Sequence, residues 1–224
     1  MPTIDFRKQN VQSGNVLFLI LIAVALFAAL SYAVTNSTRS GGGNASSEKD
    51  SLSAAAITQY GSAVSVAIQR MMLSNNCSET DISFETDLSD YDFVHSPPAR
   101  DQCKLFHPAG GGIAYNVPAA WLEDPAAWAK KEFWATGSYV FTDTGTTEPE
   151  LTIEIRGLRE SVCNEINKKL GVPDVIIDAI NGPSEDFKGQ YSMGTLYQGQ
   201  ISGCFKNDEP GVEAYVYYQI VIPR

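Results

Sequence analysis

Charge disappears from the chain between Gln9 and Thr38, and inside that window Val16 to Val34 reads VLFLILIAVALFAALSYAV, 19 residues with only Ser31 and Tyr32 polar. At about 1.5 Å per residue a helix of that length covers roughly 28 Å, close to the hydrocarbon thickness of a bilayer. A core helix of a soluble protein rarely stays apolar on every face for so long. The pattern therefore predicts a transmembrane helix over 15–34. Residues 35–47, TNSTRSGGGNASS, are small and polar, and Gly41-Gly42-Gly43 predicts a flexible linker there.

Periodicity then resumes. Ser47, with Asp50 three residues on, has the spacing of a helix-capping box. Leu52, Ala56, Tyr60, Ala63, Ala67 and Met71 recur three or four residues apart, widened by Ile57, Val64 and Ile68. That is the apolar stripe of an amphipathic helix over about 48–74, the face that packs on a domain core. Residues 75–117 carry no such period. In the C-terminal half, Ser138–Asp143, Glu150–Ile155, Gly194–Phe205 and Val212–Ile222 are rich in β-branched and aromatic residues with partial alternation, and read as strands. Between the second and third lies RESVCNEINKKLG, residues 159–171, a short helix ending at a capping glycine, Gly171. Strands in succession with one helix inserted predict an antiparallel sheet in an α+β domain over 48–224.

Charge sharpens the division. The net charge is −10, from 26 acidic and 16 basic residues. The charged residues of 1–34 are Asp5, Arg7 and Lys8, so all the net negative charge belongs to the rest of the chain. An acidic domain without a basic stripe excludes nucleic acid as a partner. Arg7 and Lys8 precede the apolar run and Arg39 follows it, which places the N-terminus in the cytoplasm and the domain outside.

Catalytic chemistry is not legible. P-loop, nucleophile-elbow and His-Glu-x-x-His patterns are absent, and His95 and His107 lie in the irregular region without a serine nucleophile pattern. No enzyme activity and no cofactor are expected. Asp87, Asp90 and Asp92 lack the glycine turn of a calcium loop and read as a solvated acidic loop. Cys77, His95, Cys103 and His107 do not have the spacing of a closed zinc site, so no metal is expected. Trp121, Trp128 and Trp134 fall within one short stretch and read as core anchors rather than a sugar-binding shelf. Cys77, Cys103, Cys163 and Cys204 all lie in the exported part, where an even count favours disulfides in any of three pairings. Ser31-Tyr32-Ala33 has the small residues of a signal-peptidase site, so release after Ala33 as a secreted adhesin or enzyme is one alternative.

Residues 7–20, RKQNVQSGNVLFLI, set basic residues and a glycine directly before an uninterrupted apolar helix. This resembles the leader of the type IV pilin and type II pseudopilin superfamily. The resemblance implies cleavage by a prepilin peptidase between Gly14 and Asn15, residues 1–14 being a cytoplasmic leader. The family usually has phenylalanine first and glutamate fifth in the mature chain, where this sequence has Asn15 and Leu19. Lack of that glutamate is typical of minor or tip subunits. LTIEIRGLRESVCNEINKKLG, residues 151–171, is similar to the strand-and-helix segment of type IVb pilins whose cysteine is bridged to a C-terminal strand. That implies Cys163–Cys204 and leaves Cys77–Cys103, which is also the most local pairing. The implied fold is a transmembrane helix and an amphipathic spine helix packed on an antiparallel sheet, stapled by disulfides. The implied role is a structural, minor subunit of a bacterial pilus or secretion filament. Its partners would be other pilin subunits, the prepilin peptidase and the inner membrane. A single-span anchored binding protein that never polymerises is the contrasting expectation.

Overall fold

The computed structural model describes residues 14–89, 98–141, 143–172, 176–178, 191–192, 199–207 and 213–224. The chain divides into two compact units, Met1–Ser46 and Ser47–Arg224. In the first, the helix α1, whose bounds are Gly14–Ser74, begins. Leu17–Thr35 is long and apolar enough to cross a membrane, and its side chains are exposed.

Residues 35–47 are helical, where a flexible linker was expected. Each glycine costs a helix about 1 kcal/mol relative to alanine but removes no backbone hydrogen bond, so three can be carried. Thr35 Oγ1 donates to the Ser31 carbonyl at 2.7 Å, folding its hydroxyl onto the helix backbone. Ser47 consequently lies inside α1, and the Ser47–Asp50 spacing is not a cap.

The second unit is α+β. Its strands are β1 (Phe133–Val140), β2 (Glu150–Leu158), β3 (Ile176–Asp178), β4 (Tyr191–Ser192), β5 (Ser202–Asn207) and β6 (Ala214–Ile222), with α2 (Glu160–Leu170) after β2. They form one sheet in the order β3-β5-β6-β2-β1-β4. The four central strands pair antiparallel, as expected, while the short edge strands β3 and β4 pair parallel with β5 and β1. Of the strand expected over Gly194–Phe205, residues 194–198 lie outside the described residues, and β5 covers Ser202 onward. The register of β2 with β6 shifts between Ile155 and Leu158, around Gly157 at φ 75°. Helix α2 ends as read: Gly171 is left-handed at φ 69°, and its N–H donates to the Asn167 carbonyl.

Residues 47–74 of α1 lie on one face of the sheet through the expected stripe, rotated toward its margin. Ala54, Ile57, Val64, Ala67, Ile68 and Met71 are buried, as is Gly61, whereas Leu52 is 72% exposed and Ala63 is also outside. The centre of the contact thus runs through residues that looked like its margin. Gly61 explains the rotation: a Cβ there would sit inside van der Waals distance of the Tyr217 hydroxyl, so the bare backbone lets helix and sheet approach. Leu151, Ile153 and Ile155 of β2 and Tyr217 of β6 receive the helix. On the opposite face, Phe141, Phe205, Val216, Tyr218 and Ile220 form a separate apolar cluster.

Candidate functional site

Three places in the chain bear on function: the start of α1, the cystine-linked edges of the second unit, and the outer surface of residues 47–74. Gly14 is the first residue of α1 and Asn15 the second, followed by the apolar run. Leu19 stands at the fifth position after Gly14 and is 58% exposed. Phe18, Leu21, Leu26, Phe27 and Leu30 are all more than half exposed, so the apolar side chains project on every side of the helix. An apolar surface of this extent is one that lipid or a partner surface covers.

Cys77 is bonded to Cys103 across 26 residues and Cys163 to Cys204 across 41, with Cα separations of 5.8 and 5.4 Å. The first bond ties the end of α1 to the irregular segment beyond it. The second ties α2 to β5, where Asn167 repeats the attachment. Its amide donates to the Cys204 carbonyl and its carbonyl oxygen accepts from the Cys204 N–H, both at 2.8 Å and both buried. With Cys77 and Cys103 joined to each other, the four-residue zinc grouping does not arise, and His95 lies outside the described residues. His107 is at the surface, its Nε2 3.8 Å from Asp101 and its Nδ1 accepting from the Ala109 N–H. Asp87 is exposed, as a solvated loop residue should be, and Asp90 and Asp92 lie outside the described residues. Among the described residues no three His, Cys, Asp or Glu side chains are grouped as metal ligands.

Trp121 is buried and Trp128 half-buried, and both pack on the cluster joining α1, α2 and the sheet. Trp128 covers Gly157, where a Cβ would fall within the indole ring. The Trp134 side chain is outside the described residues.

Several residues of consequence were not singled out by spacing. Asp50, read as a cap, is instead buried, with its carboxylate 2.5 Å from Arg159 at the mouth of α2. Arg159 also donates to the Ala120 carbonyl, so one guanidinium joins α1, α2 and the tryptophan segment. Glu150, Thr152 and Glu154 alternate with the helix-facing residues of β2, and alternation in an antiparallel strand ordinarily signals a wet face. Yet Glu150 and Thr152 are fully buried and Glu154 nearly so. Glu154 pairs with Arg156 at 2.7 Å, and Glu150 accepts from the Phe141 N–H at 3.0 Å. Burial raises the Glu150 carboxyl above its ordinary value. Tyr115, half-buried beside Glu132, is pushed up to about 12, chiefly by desolvation.

The outer surface of residues 47–74 presents Leu52, Val66 and Leu73, respectively 72, 64 and 87% exposed. Val66 and Ala63 join Gly111 and Ile113 in a shallow apolar groove. Arg70 crosses its end and donates to the carbonyls of Gly110 and Gly111 at 3.2 and 2.5 Å.

These features define a class by architecture: among the described residues, one helix apolar enough to span a membrane and a disulfide-stapled α+β unit. No family model, curated protein or solved structure matches the chain.

Proposed function

We propose that this chain is a pilin-like or pseudopilin-like, minor subunit of a bacterial type IV pilus or type II secretion filament. The observation that carries the reading is the first unit's apolar helix. It exposes large apolar side chains on all faces from Leu17 to Val34, and Arg7, Lys8 and Gly14 precede that run in the sequence. Such a surface is stable in lipid, and equally so among identical helices. In this reading the inner membrane stores the subunit with residues 1–14 in the cytoplasm. A prepilin peptidase cuts between Gly14 and Asn15, and the freed helix packs with those of neighbouring subunits. The acidic second unit then faces the medium. The neutral Leu19 offers no intramembrane carboxylate to a neighbouring subunit's N-terminal amine, which favours a minor position. The same neutrality favours a second reading, a single-span anchored binding protein that does not assemble.

The mass of the mature chain separates these. A protein beginning at Asn15 supports the filament subunit, with copurification of other pilin subunits as the second readout. A chain retaining Met1 supports the anchor, and one beginning at Val34 supports a released adhesin or enzyme.

A further inference from the structure

Asn-x-Ser/Thr, the acceptor triplet for N-linked glycans, occurs at Asn36-Ser37-Thr38, Asn44-Ala45-Ser46 and Asn76-Cys77-Ser78, and nowhere else in the chain. All three fall in the part of the chain read here as exported. Their backbones differ. Asn36 and Asn44 are within α1. Residues two apart on a helix do not face the same way, whereas in extended chain they share a face. The side chains of Asn36 and Asn44 lie outside the described residues, which leaves Asn76 as the triplet whose surroundings the structure gives. Asn36 moreover follows immediately on the apolar span ending at Thr35.

Asn76 lies beyond the helix end, exposed, in a left-handed turn at φ 52°. Ser78 is also exposed, with extended backbone at φ −74° and ψ 166°. The Asn76 carbonyl accepts from Arg100 at 3.0 Å, but its side-chain amide is held by none of the described residues. Asparagine tolerates the left-handed turn better than most residues, and Ser78 opens the one-turn helix at Glu79. The Ser78 hydroxyl shares a hydrogen bond with the Thr80 hydroxyl at 3.1 Å on this exposed surface, and the Asn76 side chain beside it is exposed.

We infer that Asn76 is an N-glycan acceptor. The donor class is a glycan carried on a polyprenyl diphosphate, and the catalyst an oligosaccharyltransferase on the exported side. A bond forms between Asn76 Nδ2 and the sugar C1 as the bond from C1 to the diphosphate oxygen breaks. The electron pair leaves with the lipid diphosphate, and one amide proton passes to the transferase. No redox change occurs. The inference rests on export of the second unit.

Tryptic digestion of the full-length protein from its native membranes, without reduction, tests both together. Cleavage at Arg70, Arg100 and Lys104 yields residues 71–100 joined through Cys77–Cys103 to residues 101–104, so export and modification are read on one species. The expected result is that this linked peptide carries sugar, located to Asn76 by fragmentation. The increment disappears in Asn76→Gln and in Ser78→Ala and persists in Ser78→Thr. A disulfide-linked but sugar-free peptide overturns the assignment while leaving export standing. Free thiols at Cys77 and Cys103 in a sugar-free peptide overturn export and the glycan together.

Discussion

Gly61→Ala sets two physical effects against each other at one residue. Alanine in place of glycine stabilises a helix interior by about 1 kcal/mol when nothing is in the way. Here the new Cβ would overlap the Tyr217 hydroxyl and lie 3.0 Å from Cε1 and 3.1 Å from Cζ. The Tyr217 ring is fully buried, and its hydroxyl donates to Gln219 at 3.0 Å, so it has no open space to swing into. Overpacking a tight core costs about 1–3 kcal/mol, which outweighs the helix gain at most of that range. The expected net loss is about 1 kcal/mol, or roughly 2–4 °C in melting temperature for a unit of this size. The assay is thermal unfolding of the full chain in non-ionic detergent, followed by near-ultraviolet circular dichroism. Tyr217→Phe removes the clashing oxygen, so Gly61→Ala made in that background should lose less stability than in the wild type. A single variant more stable than wild type would refute the close approach of helix and sheet. Equal losses in the two backgrounds would refute its assignment to the hydroxyl.

Further outcomes follow from other contacts. Arg159→Ala strands the buried Asp50 carboxylate and should cost about 3–5 kcal/mol, with Asp50→Asn in the same background recovering part of it by urea unfolding. Asn167→Ala leaves both backbone groups of Cys204 unpaired; a loss of about 2–4 kcal/mol, with faster amide exchange confined to β5 and α2, is expected. Replacing Cys163 and Cys204 together by alanine should lose about 4 kcal/mol by the chain-entropy argument for a 41-residue separation, against about 3.5 for the 26 residues of Cys77–Cys103, so the former variant should melt at the lower temperature. Because burial raises the Glu150 carboxyl, the folded chain holds that proton more tightly than the unfolded chain. Its stabilisation is complete below the unfolded value and is lost as pH rises through the raised folded value. Glu150→Gln should therefore flatten the stability profile from about pH 4 upward and raise stability at neutrality. A variant whose melting temperatures track the wild type across that range would count against a buried, proton-holding Glu150.

Local chemistry made much of this protein legible from its sequence. The run from Val16 to Val34 needs no tertiary partner to be recognised, because its length and uniform apolarity already match a bilayer. Gly171 ends α2 because a left-handed residue is required there, a requirement met within one turn of chain. The alternation in Glu150–Ile155 likewise announced a strand, since successive side chains must point to opposite faces. Other features depend on residues distant in sequence. The helical stripe on α1 was read one notch away from its true centre because Gly61 is apolar only by absence, and its value lies in the space it cedes to Tyr217, 156 positions later. Asp50 looked like a cap because capping is a local pattern, while its partner Arg159 is brought to it only by the docking of α2. Burial of Glu150, Thr152 and Glu154 was not to be found in β2 itself, for a strand specifies which side chains share a face but not whether that face is covered. Sequence thus determined the membrane-compatible helix, α2 and the central strands β2 and β6, whose causes lie within a few turns of chain, but not the short edge strands or the helix through residues 35–47. Tertiary structure decided which faces meet and which charges are buried, because those depend on contacts made only after the chain has folded back on itself.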